Sequence, residues 1–149
     1  MIMLILASAL LFGYIITRLM VPQSVVMFIT ELDQPAWVIM IFVLLFLVLV
    51  GMFLDLVSLI VITIPILLPI VLALGLDPIW FGIVMIIACE MAVITPPIGL
   101  NLYVIKGIAP DLTLQQIING ALPFVLIEVL VLVIITVFPE LVLWLPSLM

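Results

Sequence analysis

The stretch Thr95-Pro96-Pro97-Ile98-Gly99-Leu100-Asn101 decides the fold, because it interrupts an apolar segment that otherwise has the composition of one helix. As a single helix, Ile79 to Tyr103 would measure more than about 35 Å, which exceeds a hydrocarbon core of about 30 Å. Two adjacent prolines and a glycine end helical hydrogen bonding, and each proline pushes the residue before it into an extended conformation. We therefore predict an unwound polar stretch at membrane depth between two half-helices.

The chain around this break is too apolar to face water. Hydrophobic residues make up 70% of its 149 residues and charged residues 7%, against roughly 45–50% and 25% in soluble domains. Apolar runs of the length that crosses a bilayer recur throughout, so we predict an all-α integral membrane protein with multiple passes. The net charge of −6 leaves no basic patch for nucleic acid.

The residue inventory also argues against an enzyme. Histidine is absent and Cys89 is the only cysteine, so there is no disulfide pair, no zinc ligand set and no histidine to activate a serine. The acids have no G-x-G-D motif around them, which disfavours an intramembrane protease. We predict no enzymatic activity and no cofactor, and we interpret Cys89 as a small packing residue.

Composition divides the chain into three regions. Residues 1–35 contain a transmembrane helix and an interfacial connector that ends at Gln34-Pro35. Residues 36–106 contain two apolar arms, over 36–74, and the broken helix, over 79–106. Residues 107–149 contain a short interfacial helix and a final transmembrane helix.

The two arms over 36–74 are separated by the interruption Gly51–Asp55. Either both arms cross the membrane, with Asp55 at the far interface, or they form a re-entrant hairpin whose tip lies at membrane depth within protein. Pro65 and Pro69 each remove a backbone donor and predict a kink in the second arm. Asp55 is either a site residue or the N-cap of the second arm. The pattern leaves both alternatives open.

Three further signals mark helix ends. Asp77 and Pro78 suit the N-cap and first position of a helix that begins near Ile79. Thr113 and Gln116 form a capping box, which predicts a short surface helix that ends before the last crossing.

The chemistry of the break suits an ion site. In discontinuous membrane helices, unwound carbonyls coordinate sodium and half-helix N-termini attract anionic groups. The hydroxyl of Thr95, the carbonyls near Thr95–Pro97 and the amides near Gly99–Asn101 predict a site of hard oxygen ligands. The alternative is a proline kink that only shapes packing.

Glu90 and Glu128 lie inside apolar runs, where a charge costs at least about 2.5 kcal/mol. Each should be protonated, paired or turned toward a cavity. The two acids either relay protons or face a partner helix from outside the chain.

Five motifs follow one another along the chain: Gly51-Met52-Phe53-Leu54-Asp55, Pro65-Ile66-Leu67-Leu68-Pro69, Gly75-Leu76-Asp77-Pro78 with Phe81-Gly82, Thr95-Pro96-Pro97-Ile98-Gly99-Leu100-Asn101-Leu102 and Trp144-Leu145-Pro146. In this order and spacing, they resemble the C-terminal part of the large membrane subunit of tripartite ATP-independent periplasmic (TRAP) transporters. The resemblance covers essentially the whole chain but only about a third of such a subunit, its second inverted repeat, so we expect the first repeat to be absent.

The resemblance implies an elevator-type secondary transporter whose transport domain includes residues 36–106. Residues 36–74 would then be a re-entrant hairpin with its tip facing the broken helix. By motif position, it implies substrate contacts at Pro97 and Asn101 and sodium ligands at Gly51, Asp55, Thr95, Pro96 and Gly99. Glu90 departs from the pattern expected for this family, where we expect a neutral residue.

The resemblance further implies sodium-coupled uptake of an organic acid, such as a C4-dicarboxylate or a sialic-acid-like carboxylate, across a bacterial or archaeal inner membrane. The expected partners are a periplasmic substrate-binding protein, a small TRAP membrane subunit, the remaining N-terminal part of the large subunit and the lipid bilayer. Without the resemblance, the residues also fit a different ion-coupled transporter or a non-transporting membrane scaffold. Orientation is undecided by charge, since Arg18 and Lys106 fall on opposite sides; the resemblance places Lys106 inside.

Overall fold

The fold is entirely helical across residues 2–96 and 98–148, the part of the chain that the computed structural model describes. This confirms the all-α class predicted from composition. The helices are α1 (Ile2–Arg18), α2 (Val21–Glu31), α3 (Ala36–Gly51), α4 (Leu56–Ala73), α5 (Pro78–Ile94), α6 (Leu100–Ile108), α7 (Leu114–Val137), α8 (Glu140–Leu143) and a final 3₁₀ helix (Pro146–Leu148).

Helix length and hydropathy identify candidate membrane spans. Two helices, α4 and α7, are each long and apolar enough to cross a bilayer, and α1 with α2 makes a third span if that pair, bent by 57°, is one broken crossing. The apolar helices α3 and α5 are shorter, at 16 and 17 residues. A chain with such helices has the composition and geometry of a membrane protein.

The predicted helix starts at Asp77 and Thr113 are confirmed. The Asp77 carboxylate accepts hydrogen bonds from the amides of Ile79 and Trp80 at 2.7 and 3.1 Å. Thr113 and Gln116 form the reciprocal capping box at the start of α7. Both caps satisfy amides that a helix N-terminus leaves without partners.

The division of the C-terminal region into two helices is wrong. The structure has one continuous helix, α7, which runs from the capping box at Thr113 through Pro123 to Val137. Pro123 costs one hydrogen bond, to the carbonyl four residues earlier, whereas ending the helix would leave several backbone groups without partners. In an apolar setting the loss of one hydrogen bond costs less than a new helix end, so the helix continues through Pro123. The same reason keeps α4 helical through Pro65 and Pro69.

The core forms around α5, which packs against α3, α4, α6, α7 and α8. Cys89 is fully buried, as its interpretation as a packing residue requires. On the far side of α4, α1 presents the small residues Ala9 and Gly13, and a β-carbon on Gly13 would stand 3.1 Å from Pro65. Small residues on one face let membrane helices approach closely. The inaccessible residues of α5 are Val84, Met85, Ala88, Cys89 and Ala92.

Candidate functional site

The tip between α3 and α4 lies against the end of α5. Gly51 is buried, and a β-carbon there would stand only 2.7 Å from the β-carbon of Ala92 and 2.9 Å from a methyl group of Leu59. Ala92 precedes Thr95 by less than one helical turn. The structure therefore brings the Gly51 motif and the predicted break to the same level of the bundle.

This level lies inside the bundle rather than at its end. The indole N–H of Trp80, near the start of α5, donates a hydrogen bond to the carbonyl oxygen of Ile135, near the end of α7. Measured from that bond, α5 extends about 21 Å to Ile94 and α7 about 32 Å to Leu114. Since the tip lies beside the end of α5, α7 continues about 10 Å beyond it. This geometry favours the re-entrant hairpin over two full crossings.

Cysteine labelling tests the hairpin. We expect cysteines at Ser24 and Asp77, both exposed in the structure, to be labelled by an impermeant maleimide from the same membrane side. A cysteine at Leu54, half-buried in the tip, should be protected from both sides. Native Cys89 is buried and serves as the unlabelled background. Free labelling at Leu54 from the side opposite to Ser24 would instead establish two crossings.

The predicted break is confirmed between Ile94 and Leu100. Thr95 has an extended backbone, with φ −90° and ψ 130°, and Gly99 has φ +46°. The hydroxyl of Thr95 donates to the carbonyl of Met91 at 2.5 Å. A β-carbon on Gly99 would stand 3.0 Å from the Thr95 carbonyl oxygen. The break is therefore a tight turn in which the Thr95 carbonyl oxygen lies close to the start of the second half-helix, while the Thr95 hydroxyl is bonded to the end of the first.

The carbonyl oxygen of Val93 is a further candidate ligand, which was not among the predicted site groups. Pro97 has no N–H to return to the carbonyl of Val93, four residues earlier, so this carbonyl loses its helical donor. The sequence does contain the signal for this oxygen, because Pro97 lies four residues after Val93. The hydroxyl of Thr95 also keeps its lone pairs, because in its bond to Met91 it is the donor.

Asp55 is the N-cap of α4, which confirms one of its two alternative roles. Its Oδ2 accepts a hydrogen bond from the amide of Ser58 at 3.0 Å. The carboxylate is exposed, as is Asn101 in the first turn of α6. In the described part of the chain, neither side chain makes a hydrogen bond to the break. Their assignments as ligands stay predictions.

Two predicted site residues remain, and the structure describes one of them. Pro96 lies half-buried in the break, whereas Pro97 lies outside the described residues. The described residues contain no cluster of three or more His, Cys, Asp or Glu side chains. The oxygens at the break are carbonyls and a hydroxyl, which are ligands for a hard cation.

The two intramembrane acids differ in their surroundings. Glu90 is exposed on α5, and Glu128 is half-buried on α7 with one carboxylate oxygen that is inaccessible and has no hydrogen-bond partner among the described residues. The cations of this chain are engaged elsewhere. Arg18 bonds to the hydroxyl of Tyr14 at 3.0 Å, and Lys106 bonds to backbone carbonyls.

Comparison with known proteins agrees with these features. Residues 1–141 match the family model of the tripartite ATP-independent periplasmic transporter, DctM component. The chain is 38% identical over 147 residues to the C4-dicarboxylate TRAP transporter large permease protein of Pseudomonas aeruginosa, covering 99% of this chain and 34% of that protein.

Relatives with other substrates in their names are similarly close. The chain is 33% identical to the sialic acid TRAP transporter large permease protein of Vibrio cholerae, covering 92% of this chain and 32% of that protein. It is 35% identical to the 2,3-diketo-L-gulonate TRAP transporter large permease protein of Escherichia coli, covering 95% of this chain and 33% of that protein. The chain thus spans about a third of the length of these relatives. It belongs to the DctM family of TRAP transporter permeases, which is a family of transporters rather than of enzymes.

Proposed function

We propose that this chain supplies one half of the ion and substrate site of a sodium-coupled permease for organic acids. The observation that carries the proposal is the unwound turn Thr95–Gly99, which follows directly on the last turn of α5, where Ala92 contacts Gly51 of the hairpin tip. Unpaired carbonyls are costly in an apolar setting, and coordination to a cation offsets that cost. A turn of this kind inside a bundle is a structure that binding maintains.

Sodium suits the ligands better than a divalent ion does. Divalent cations in proteins take several carboxylates, whereas the turn offers the neutral oxygens of Val93 and Thr95. Asp55, at the N-terminus of α4, is the one carboxylate of the tip. A single negative charge among neutral oxygens balances a monovalent cation. We assign the coupling ion to Gly51, Asp55, Thr95, Pro96 and Gly99, with the Val93 carbonyl added.

The substrate proposal rests on the second half-helix. The amides at the start of α6 follow Gly99, which offers no side-chain cap, and a helix N-terminus attracts anions. C4-dicarboxylates, sialic acid and 2,3-diketo-L-gulonate, which appear in the names of relatives, all carry a carboxylate. We therefore propose a carboxylate substrate, with Pro97 and Asn101 as its contacts from this chain.

A groove between α3 and α7 supports the proposed partnership with the rest of the subunit. Two adjoining apolar cavities, of about 390 and 270 Å³, share Ile41, Leu44, Leu132 and Val133. Since the relatives are about three times longer than this chain, we propose that a helix of the N-terminal part fills the groove. A small membrane subunit and a periplasmic substrate-binding protein complete the proposed assembly in the inner membrane.

Replacing Thr95 with valine tests the ion site. Valine keeps the shape of the side chain and removes the hydroxyl, so we expect apparent sodium affinity to fall roughly tenfold, as loss of one ligand or charge-assisted bond would give. The measurement is sodium-dependent uptake by the complete transporter in proteoliposomes. The matched control is Thr136→Val, because Thr136 is also half-buried and also bonds to the carbonyl four residues earlier.

Two further variants separate this proposal from proton coupling by the last helix. Cys89→Ala should be nearly silent and Glu128→Gln mild. If Thr95→Val left the sodium dependence of uptake unchanged while Glu128→Gln abolished uptake, the coupling role would belong to α7. This second candidate is worth testing because one buried oxygen of Glu128 has no hydrogen-bond partner within residues 2–96 and 98–148.

A further inference from the structure

We propose that α7 is a splint that sets the separation of α5 and α6 across the break, and that Trp80 and Lys106 are the positioning residues that fasten its two ends. The geometry of the splint stands on contacts in this chain. Its functional consequence, a fixed arrangement of ion ligands at the break, rests on the proposed function.

At one end, Trp80 holds α7 against α5. Its ring is buried, with 3% of its surface accessible, and its Nε1–H donates to the carbonyl of Ile135 at 2.8 Å. Pro139 has no N–H and excludes Phe138 from helical geometry, so α7 ends at Val137. The Ile135 carbonyl therefore lacks its helical donor, and the indole takes that place. The bond fixes the axial position of α7 along α5.

At the other end, Lys106 holds the start of α7 to the end of α6. Its Nζ donates to the carbonyl of Pro110 at 2.8 Å and to that of Leu112 at 2.5 Å. These two carbonyls belong to the loop that joins α6 to α7. The loop is therefore closed onto the last turn of α6, and the first residue of α7 follows it directly.

The break lies between these two fastenings. Across Thr95–Gly99 the helical hydrogen bonds that would fix the distance between α5 and α6 are interrupted. The continuous helix α7 packs against both half-helices, and its 24 residues span about 36 Å. A continuous helix fastened at both ends holds the two half-helices at a set separation. Slippage of α7 would therefore change the spacing of the oxygens at the break.

Distance measurements between spin labels test the splint directly. The labels replace Ile86 on α5 and Val104 on α6, both exposed, in the complete transporter with Cys89→Ala and its other cysteines removed. We expect a narrow distance distribution in this background and a clearly broader one in Trp80→Phe and in Lys106→Met. The matched control is Trp144→Phe, because Trp144 is exposed, and it should leave the distribution narrow.

A second readout connects the splint to transport. In the same variants, apparent sodium affinity should fall roughly threefold to tenfold, as expected for loss of the buried hydrogen bond of Trp80 or the two exposed ones of Lys106, while the maximal uptake rate changes less. Unchanged distance distributions in both variants would overturn the splint. Broader distributions with unaltered sodium affinity would support the splint and contradict the ion site. Should Trp80→Phe fail to fold, Lys106→Met, at the helix end, decides by itself.

Discussion

Replacing Gly51 with alanine is expected to destabilise the protein by about 1–3 kcal/mol and to reduce uptake severely. The added β-carbon would stand 2.7 Å from the β-carbon of Ala92, an atom fixed to the backbone of α5 that no rotamer change can move. The hairpin tip must therefore separate from α5 at the level of the break. Thermal unfolding in detergent and uptake in proteoliposomes measure the two effects.

Two variants make the Gly51 prediction specific. Gly82→Ala is the matched control, because a β-carbon on Gly82 meets nothing within 4 Å and alanine favours a helix interior by about 1 kcal/mol. It should be neutral or stabilising. The double variant Gly51→Ala with Ala92→Gly returns the missing space and should recover much of the loss. Equal destabilisation by Gly51→Ala and Gly82→Ala would show that the close approach of α3 and α5 is unimportant.

Replacing Gly99 with alanine is expected to combine two penalties. At φ +46°, a residue with a β-carbon costs about 1–2 kcal/mol. That β-carbon would also stand 2.9 Å from a methyl group of Leu102 and 3.0 Å from the Thr95 carbonyl oxygen. Because this carbonyl is one of the proposed ligands, apparent sodium affinity should fall together with stability.

Gly75→Ala separates these two penalties. Gly75 also has a positive φ, +72°, but a β-carbon there meets nothing within 4 Å. We expect Gly75→Ala to show only the loss of stability that a β-carbon causes at a positive φ, with the sodium dependence of uptake unchanged. Sodium-dependent uptake and unfolding temperature, measured on both variants, provide the comparison. If Gly75→Ala altered sodium affinity as strongly as Gly99→Ala, the contact with Thr95 would not explain the effect.

Much of the fold could be predicted, because its deciding signals are local. The adjacent prolines Pro96 and Pro97 remove two successive backbone donors, a stronger local signal than the isolated Pro123, and Asp77 and Thr113 cap helices through bonds to amides two or three residues away. The continuity of α7 through Pro123 was not predictable in the same way. There the local signal for a helix end competes with the cost of unpaired backbone groups in lipid, and the outcome depends on the surroundings.

The candidate site was only partly accessible to sequence reasoning. The backbone turn at Thr95–Gly99 follows from residue types, and Gly51 entered through its motif. The contact between Gly51 and Ala92 and the bond from Trp80 to Ile135 join segments far apart in the chain. No spacing rule of helices or strands encodes such contacts, since they depend on how whole helices pack.

The bonds of the Thr95 and Thr136 hydroxyls are shared by two further threonines, and this has a consequence for membrane insertion. The hydroxyls of Thr17, Thr63, Thr95 and Thr136 each donate to a carbonyl one turn earlier in the same helix. Within residues 2–96 and 98–148, Trp80 alone donates a side-chain hydrogen bond to a distant helix. These helices can therefore enter the bilayer with their threonine hydroxyls already satisfied, before their neighbours arrive. Assembly then depends on shape, so added volume at helix contacts should disturb this protein more than removed hydroxyls do.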